Sequence, residues 1–314
     1  TTAGAIVGDF AWGPVSTRIL VDSEITLVNR FGKPDGNNFV SFFSAANFLA
    51  YGNNLRVVRA ANTDSYNSIT ETDYVEVVGN THPYTVGETV FQTTANTVPD
   101  VLAGNTSALG VVVDYDSSLA NARIYFSTTS GTFTQGRYLH GVTSTSNVAA
   151  NGISTAVSSL QIKNEDDYEL NYPVGTHKGI FFYGRYPGDL GNSIKVSVCA
   201  NTSAFATWEY NSYFSSAPGT SIYASSVNGD NDELHVIVID VDGKISGTKG
   251  GVLETYESVS KASDAKNDDG SPNYYVTKIF NLSKYIYVAN HWGHSSGDTW
   301  GVSAVNTDFG SSTP

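Results

Sequence analysis

Two histidines and one aspartate near the end of the sequence are the residues whose types and spacing come closest to a metal site. His291, His294 and Asp298 lie within eight residues of one another, and imidazole and carboxylate groups are frequent zinc ligands. The segment has neither a helical His-Glu-x-x-His frame nor a cysteine ligand, so ordinary turn residues explain it better. The sequence therefore predicts no metal site.

Two acidic segments have the composition of calcium loops. In residues 264–270, a loop with Gly270 at its sixth position would have Ala265 first and Val276 twelfth, where an EF-hand needs oxygen ligands. Residues 228–233 are polar and precede an apolar run, which is typical of a turn that leads into a strand. We expect solvated turns at both places and no bound cofactor.

Nucleophilic and phosphate-binding chemistry have no specific support, and we expect no Gly-x-Ser-x-Gly nucleophile elbow. The single cysteine, Cys199, lies in the alternating run of residues 194–199 and is predicted to be part of a strand. Residues 188–192 contain two glycines but lack a following Gly-Lys-Ser/Thr, and they lead into a strand, whereas a phosphate loop leads into a helix. The sequence assigns no catalytic or cofactor-binding residue, and we expect no enzyme.

The charge balance excludes several classes of partner. Thirty acidic and 17 basic side chains give a formal net charge of -13, which repels nucleic acid and anionic lipid. No apolar run reaches the roughly 20 residues that cross a bilayer. We therefore expect neither nucleic-acid binding nor membrane insertion.

Residues 1–64 carry strand and helix signals in alternation, which predicts a small α/β unit. The predicted strands are residues 5–10, 18–21 and 55–60. Asp22 or Ser23 can cap a first helix, because a side-chain oxygen there accepts an orphan backbone N–H, and Gly32 can end it in a left-handed conformation. Residues 39–51 carry aromatic side chains at helical spacing and predict a second helix.

Residues 72–160 lose the helical period and predict an inserted β module. The predicted strands are residues 74–78, 89–93, 109–115, 123–127 and 138–142. Five short strands are typical of a small barrel or a sandwich. We expect this module to face outward.

Residues 164–314 predict a second mixed, mostly β domain that can pack with residues 1–64. The acidic stretch 164–167 has the composition of a linker. The predicted strands are residues 179–183, 193–199, 233–240, 244–248 and 285–289, with a hairpin at Asp242-Gly243. A short helix is expected over residues 275–282 and a frayed tail over residues 295–314. The predicted fold class is α+β and rich in β-structure.

Three blocks of sequence together resemble one known family. The first block contains Gly13-Pro14-Val15, Ser23-Glu24, Arg30-Phe31-Gly32-Lys33-Pro34, Ala46-x-Phe48-Leu49-x-Tyr51-Gly52 and Leu55–Ala60. The second, residues 186–196, has a Pro-Gly-x-x-Gly-Asn turn before a strand, and the third comprises residues 252–260, 264–266 and 273–276. In order and spacing, these blocks resemble the tail sheath proteins of contractile, myovirus-type phages.

The resemblance implies a structural function without cofactors. Sheath subunits polymerise as a helix around a tail tube and contract to drive it through the host envelope. Their expected partners are further copies of themselves, the tube and the baseplate. Their expected location is the virion tail, after assembly in the host cytoplasm.

Several alternatives stay open at the level of sequence. A glycan-binding or adhesin β protein of a phage or surface appendage is the main competing class, and the sheath of a bacteriocin or a secretion machine would look similar. The chain begins at Thr1 and contains no methionine, which predicts that preceding residues have been removed. The N-terminal arm and the C-terminal region that link sheath subunits are not recognised, so we expect this chain alone to be a monomer.

Overall fold

The computed structural model describes residues 3–70, 72–79, 81–93, 107–155, 158–291 and 299–310. Three parts follow one another along the chain. They are named here the N-terminal unit (residues 3–64), the barrel (residues 73–155) and the body (residues 158–310). The α/β character of the first part, the closed barrel and the mostly β body confirm the expected β-rich α+β fold class.

The N-terminal unit packs two helices on one face of a three-stranded sheet. Its elements are β1 (Gly4–Asp9), β2 (Arg18–Val21), α1 (Glu24–Phe31), α2 (Phe39–Leu49) and β3 (Leu55–Ala60). The strand order is β1-β3-β2, with β1 parallel and β2 antiparallel to β3. Apolar side chains between sheet and helices, including Leu27, Phe31, Phe42 and Val57, form its core. All five predicted elements are confirmed, although α2 is shorter than expected.

Helix α1 begins and ends at residues that the sequence indicated. The Ser23 hydroxyl accepts a hydrogen bond from the Thr26 amide at 3.2 Å, whereas Asp22 accepts one from the Thr26 hydroxyl. Gly32 follows the helix with a φ of 79°, a conformation that glycine adopts at little cost. Of the two candidate caps, Ser23 is therefore the one that caps the backbone.

The barrel consists of antiparallel strands that close on themselves. They are β4 (Asp73–Val77), β5 (Thr89–Thr93), β6 (Ala108–Asp116), β7 (Arg123–Gly131), β8 (Tyr138–Gly141) and β9 (Asn147–Thr155). Their order around the barrel is β4-β7-β6-β5-β8-β9. Closure removes the exposed strand edges, and Val75, Val90, Ile124 and Leu139 are among the side chains that fill the interior. Of the barrel and the sandwich, the structure has the barrel.

Strand β9 was missing from the prediction. Its sequence includes alanines, asparagines and a glycine, which are residues of low strand propensity. It becomes a strand because β4 and β8 pair with it on its two sides. Tertiary pairing here overrides a weak local signal.

The body contains two small sheets with helices packed around them. Its elements in the described ranges are α3 (Glu165–Asn171), β10 (Phe182–Gly184), β11 (Ile194–Cys199), α4 (Thr202–Phe205), α5 (Ile222–Ser226), β12 (Glu233–Asp240), β13 (Gly251–Ser260), α6 (Tyr275–Leu282) and β14 (Ile286–Val288). Strands β11, β12 and β13 form one antiparallel sheet in that order, and β10 pairs with β14. The predictions of β12 and α6 are confirmed residue for residue.

The stretch predicted as a linker, residues 164–167, begins helix α3 instead. The Asn164 side chain accepts a hydrogen bond from the Asp167 amide at 3.0 Å, which caps the helix. The acidic side chains of the first turn lie at the positive end of the helix dipole, where they are stabilising. The linker prediction is wrong because acidic and amide residues are also good helix starters.

The predicted hairpin at Asp242-Gly243 and the predicted strand at residues 244–248 are also wrong. Strand β12 pairs with β13 after a longer turn. Asp240, at the end of β12, is fully buried, and its carboxylate accepts hydrogen bonds from two amide groups in that turn at 2.9 and 2.6 Å. These hydrogen bonds hold the chain in a longer turn, whereas a two-residue hairpin would have continued the hydrogen-bond ladder between the strands.

The expectation of a frayed tail over residues 295–314 is wrong for residues 299–310. Trp300, Ala304 and Phe309 are buried in that stretch. The rest of the predicted tail lies outside the described residues. Glycine- and serine-rich composition indicated fraying, but single large side chains anchor the segment to the body.

A buried guanidinium connects the N-terminal unit to the body. Arg59 is 3% exposed and donates hydrogen bonds to the carbonyl oxygens of Phe10, Gly13 and Pro187 at 2.8, 2.9 and 2.8 Å. Burial lowers the pKa of this guanidinium to about 10, so it remains charged at neutral pH. Because its acceptors come from both parts, Arg59 fixes the loop after β1 against the body.

Replacing Arg59 by methionine should lower the free energy of unfolding by about 2–4 kcal/mol, because buried carbonyl oxygens would lose their donor. Arg56→Met is the matched control, since this half-buried residue lies on the same strand. The control should change stability by less than about 0.5 kcal/mol. Chemical denaturation followed by tryptophan fluorescence measures both, and equal losses would contradict the assigned contact.

Candidate assembly surface

The candidate metal ligands are described only in part. The Nδ1 atom of His291 lies 2.7 Å from the Tyr275 hydroxyl, whereas His294 and Asp298 lie outside the described residues. Within the described ranges, no group of three or more histidine, cysteine, aspartate or glutamate side chains is placed to hold a metal ion. The absence of a metal site in the whole chain stays a prediction.

The acidic residues of the two candidate calcium loops bind the chain's own turns. Asp269 accepts hydrogen bonds from the amide and hydroxyl of Ser271 at 2.9 and 2.6 Å. Asp264 accepts one from the Ala304 amide at 2.8 Å, and Asp230 accepts one from the neighbouring amide. These carboxylates stabilise turns, and the structure does not bring them together.

The Cys199 thiol is shielded from chemistry. It lies at the end of β11, as predicted, and is buried. Burial raises the pKa of the thiol, and only the thiolate is an effective nucleophile. Cys199 is therefore a small packing residue.

The expectation that the chain has no Gly-x-Ser-x-Gly pattern is wrong. Residues 293–297 match Gly-x-Ser-x-Gly, the pattern of a nucleophile elbow. They lie outside the described residues. This short pattern indicates a nucleophile only where a strand, a sharp turn and a helix surround it.

Two fully buried charged side chains in the body belong to no recognised motif. Asp232 accepts hydrogen bonds from the amide and hydroxyl of Ser221 at 2.7 and 2.9 Å. The Nζ atom of Lys261 donates to the carbonyl oxygens of Ala200 and Asn231, both at 2.8 Å. Their partners are groups of the fold itself, so their part is structural, and no sequence signal distinguishes them.

The N-terminal unit exposes large apolar side chains on both its sheet and its helices. Val7 on β1 is 72% exposed, Ile25 on α1 is 74% exposed and Val40 on α2 is 64% exposed. We call the following residues the apolar set: Val7, Leu20, Ile25, Phe39, Val40, Phe43 and Tyr51. Contiguous exposed apolar surface marks sites of protein interaction, and the apolar set is distributed over the sheet and the helices of the unit.

Charge distinguishes the same unit from the rest of the chain. Acidic and basic residues nearly balance in residues 1–71, whereas acidic residues predominate in the remainder. A weakly charged surface opposes close approach of another copy less than a strongly acidic one does. The apolar set therefore lies on the part of the chain best suited to assembly.

No helix in the described ranges is long and apolar enough to cross a membrane.

A cleft of about 1360 Å³ lies between β11, an edge strand, and the segment that leads into the barrel. Its walls are mixed polar and apolar. Lys195, a charged residue on this edge, already bonds to the Tyr210 hydroxyl at 2.9 Å. We assign no ligand to the cleft.

Segments of the chain are similar to three characterised phage proteins, although no protein-family profile matches it. The tail sheath protein of Salmonella phage ViI is 34% identical over 105 residues, which cover 33% of this chain and 14% of that relative. That of Enterobacteria phage T4 is 48% identical over 65 residues, covering 21% and 10%. That of Vibrio phage KVP40 is 36% identical over 124 residues, covering 39% and 18%.

These matches confirm the predicted resemblance to tail sheath proteins of contractile phages. All three relatives are named as tail sheath proteins. The aligned parts cover less than a fifth of the length of each relative. The activity and partners of a whole sheath protein are therefore matters for a proposal.

Substituting Val7 by threonine should change the free energy of unfolding by less than about 0.5 kcal/mol, because its side chain is already in water. Val57→Thr is the matched control on the neighbouring strand β3. Val57 is fully buried, so placing a hydroxyl there should cost about 1–3 kcal/mol. Thermal denaturation of both variants measures the difference, and a comparable loss of stability at Val7 would contradict its exposed position.

Proposed function

We propose that this chain is part of the structural subunit of a contractile tail sheath, which polymerises around the tail tube and contracts to drive the tube through the host envelope. The similarity to three sheath proteins carries the proposal. The exposed apolar set supports it, because a polymer needs surface that neighbouring polypeptide can cover. The corresponding location is the virion tail, with assembly in the host cytoplasm and with tube and baseplate proteins as partners.

The proposed mechanism is mechanical and requires no cofactor. Contraction of a sleeve depends on rigid subunits that exchange one set of neighbour contacts for another, and the energy comes from the difference between the two packings. Rigid subunits require internal contacts that hold while external contacts change. The Arg59 contact has this character, since it is buried and directional.

We also propose that the barrel is an insertion that folds by itself and faces outward. Asp73 in β4 pairs with Thr155 in β9, so the chain reaches and leaves the barrel at neighbouring points. Outside the barrel, the Asn67 amide donates to the Leu160 carbonyl at 2.9 Å. A part with its own core, joined through two adjacent crossings, meets the requirements of an independent domain.

The contacts of the connecting segment support a boundary closer to the barrel than residues 64 and 164. The Asn67 side chain donates to the Gly184 carbonyl at 2.8 Å, and the Thr70 amide donates to the Phe182 carbonyl at 3.0 Å. Residues 65–70 therefore belong with the body. A barrel insertion between Thr70 and Ser158 is compatible with these bonds.

Deleting residues 71–157 and joining Thr70 to Ser158 through two glycines should leave the rest of the chain folded. Circular dichroism and a cooperative thermal transition are the measurements. A deletion of residues 65–163 is the contrasting variant and should unfold more easily, because it also removes the buried bonds of Asn67. Loss of cooperative unfolding in the first variant would refute the insertion.

Antibodies against two parts of the chain test the sheath proposal in assembled particles. Antibodies raised against the isolated barrel should decorate the outside of intact tails in negative-stain electron microscopy. Antibodies against the apolar set should bind only after the tails are dissociated, because assembly would cover that surface. Label absent from tails, or confined to other parts of the particle, would exclude the proposal.

We expect the chain by itself to be a monomer near 33.5 kDa. A net charge of -13 opposes self-association at moderate salt, and a sleeve needs two complementary surfaces on each copy. Sedimentation velocity at increasing protein concentration measures this. Rings or sleeves formed by the chain alone would place the complete assembly interface within residues 1–314.

A further inference from the structure

A bulge in β6 turns two neighbouring residues toward the body. The register of β6 against β7 shifts between Val112 and Asp114. Val112 points into the barrel, and Tyr115 packs against the same interior, so the two residues between them both face outward. A bulge of this kind re-aims side chains that strict alternation would place on opposite faces. Val113 packs against the core of the body, and Asp114 is 2% exposed beside it.

The Asp114 carboxylate receives hydrogen bonds from both parts of the molecule. Its Oδ2 atom accepts from the Gly179 amide at 2.8 Å and from Nδ2 of Asn290 at 3.2 Å, both in the body. Its Oδ1 atom accepts from the Tyr115 amide of its own strand at 2.8 Å and lies 3.7 Å from Nζ of Lys178. If either part moved, this buried carboxylate would lose some of its hydrogen-bond donors, which costs free energy.

Gly179 is shaped to accept the barrel. It has a φ of 71°, and a Cβ atom there would overlap with the ring of Tyr125 on β7. Glycine is therefore required for conformation and for space alike. The sequence predicted a strand from residue 179, but the strand begins at Phe182. That prediction is wrong because the positive φ of Gly179 is not a strand conformation. The Tyr125 ring therefore lies against the backbone of Gly179, where no side chain intervenes.

We propose that Asp114 is a clamp that fixes the orientation of the barrel on the body. Two adjacent chain crossings alone constrain the position of the barrel but leave its rotation weakly determined. The packing of Val113 and Tyr125 is apolar and non-directional. The hydrogen bonds of Asp114 to Gly179 and Asn290 supply direction, and breaking them allows the barrel to reorient while its own core stays intact.

Nuclear magnetic resonance relaxation of backbone amides tests the clamp in the full chain. In the wild type, barrel and body should tumble with one rotational correlation time. Asp114→Ala should give the barrel a shorter correlation time than the body and should speed hydrogen exchange of the Gly179 amide by roughly 10–100-fold. Asp114→Asn keeps one acceptor oxygen and should give an intermediate result.

Asp116→Ala is the matched control, because Asp116 ends the same strand and its carboxylate binds the exposed Ser118. It should leave both measurements unchanged. Gly179→Ala should also free the barrel to reorient on the body. This substitution alters the body and leaves the barrel sequence intact. If Asp114→Ala fails to fold, Gly179→Ala still decides the matter. Common tumbling and unchanged exchange of the residue 179 amide in the folded variants would overturn the proposal.

Discussion

The buried guanidinium of Arg59 is the contact on which the relation between the N-terminal unit and the body depends. It brings together carbonyl oxygens from the loop after β1 and from the turn before β11. Such oxygens are costly to bury without a donor, so these hydrogen bonds favour the observed arrangement of the two parts. Trp12 adds a second link through its indole N–H, which donates to the Lys284 carbonyl at 3.0 Å. The sheath proposal needs this stiffness, since motion between subunits is useful only when motion within them is suppressed.

The three parts of the chain each have an apolar core, and polar groups determine how the parts meet. The cores of the N-terminal unit, the barrel and the body are separate clusters. Apolar packing stabilises each part but has little directional preference. Arg59 and Asp114 lie at the two junctions, where directional bonds select one geometry. Within the body, Asp240 in its turn and the wholly buried Asp232 and Lys261 act in the same way. A buried charged group whose partners are all supplied by the fold favours one conformation over alternative conformations.

The sheath proposal rests on similarity of sequence and not on a site. The sequence of residues 188–192 was distinguished from a phosphate loop because a strand follows it. In the structure, this turn contains a short 3₁₀ segment that leads into β11. The apolar set, by contrast, could not be identified from sequence alone, because Phe42 and Phe43 are neighbours of the same type and only the packing of α2 buries the first and exposes the second.

The sequence by itself determined the local elements with strong periodicity or explicit caps. Helix α1 with Ser23 and Gly32, the whole of β12 and the whole of α6 follow from spacing, capping and apolar runs, which act within a few residues. Tertiary structure decided everything that depends on distant partners. Strand β9 exists because β4 and β8 flank it. The role of the bulge in β6 can be recognised only in the folded chain, where Asp114 contacts Gly179. The physical reason is that a hydrogen bond between residues far apart in the chain leaves no periodic trace in the sequence of either one.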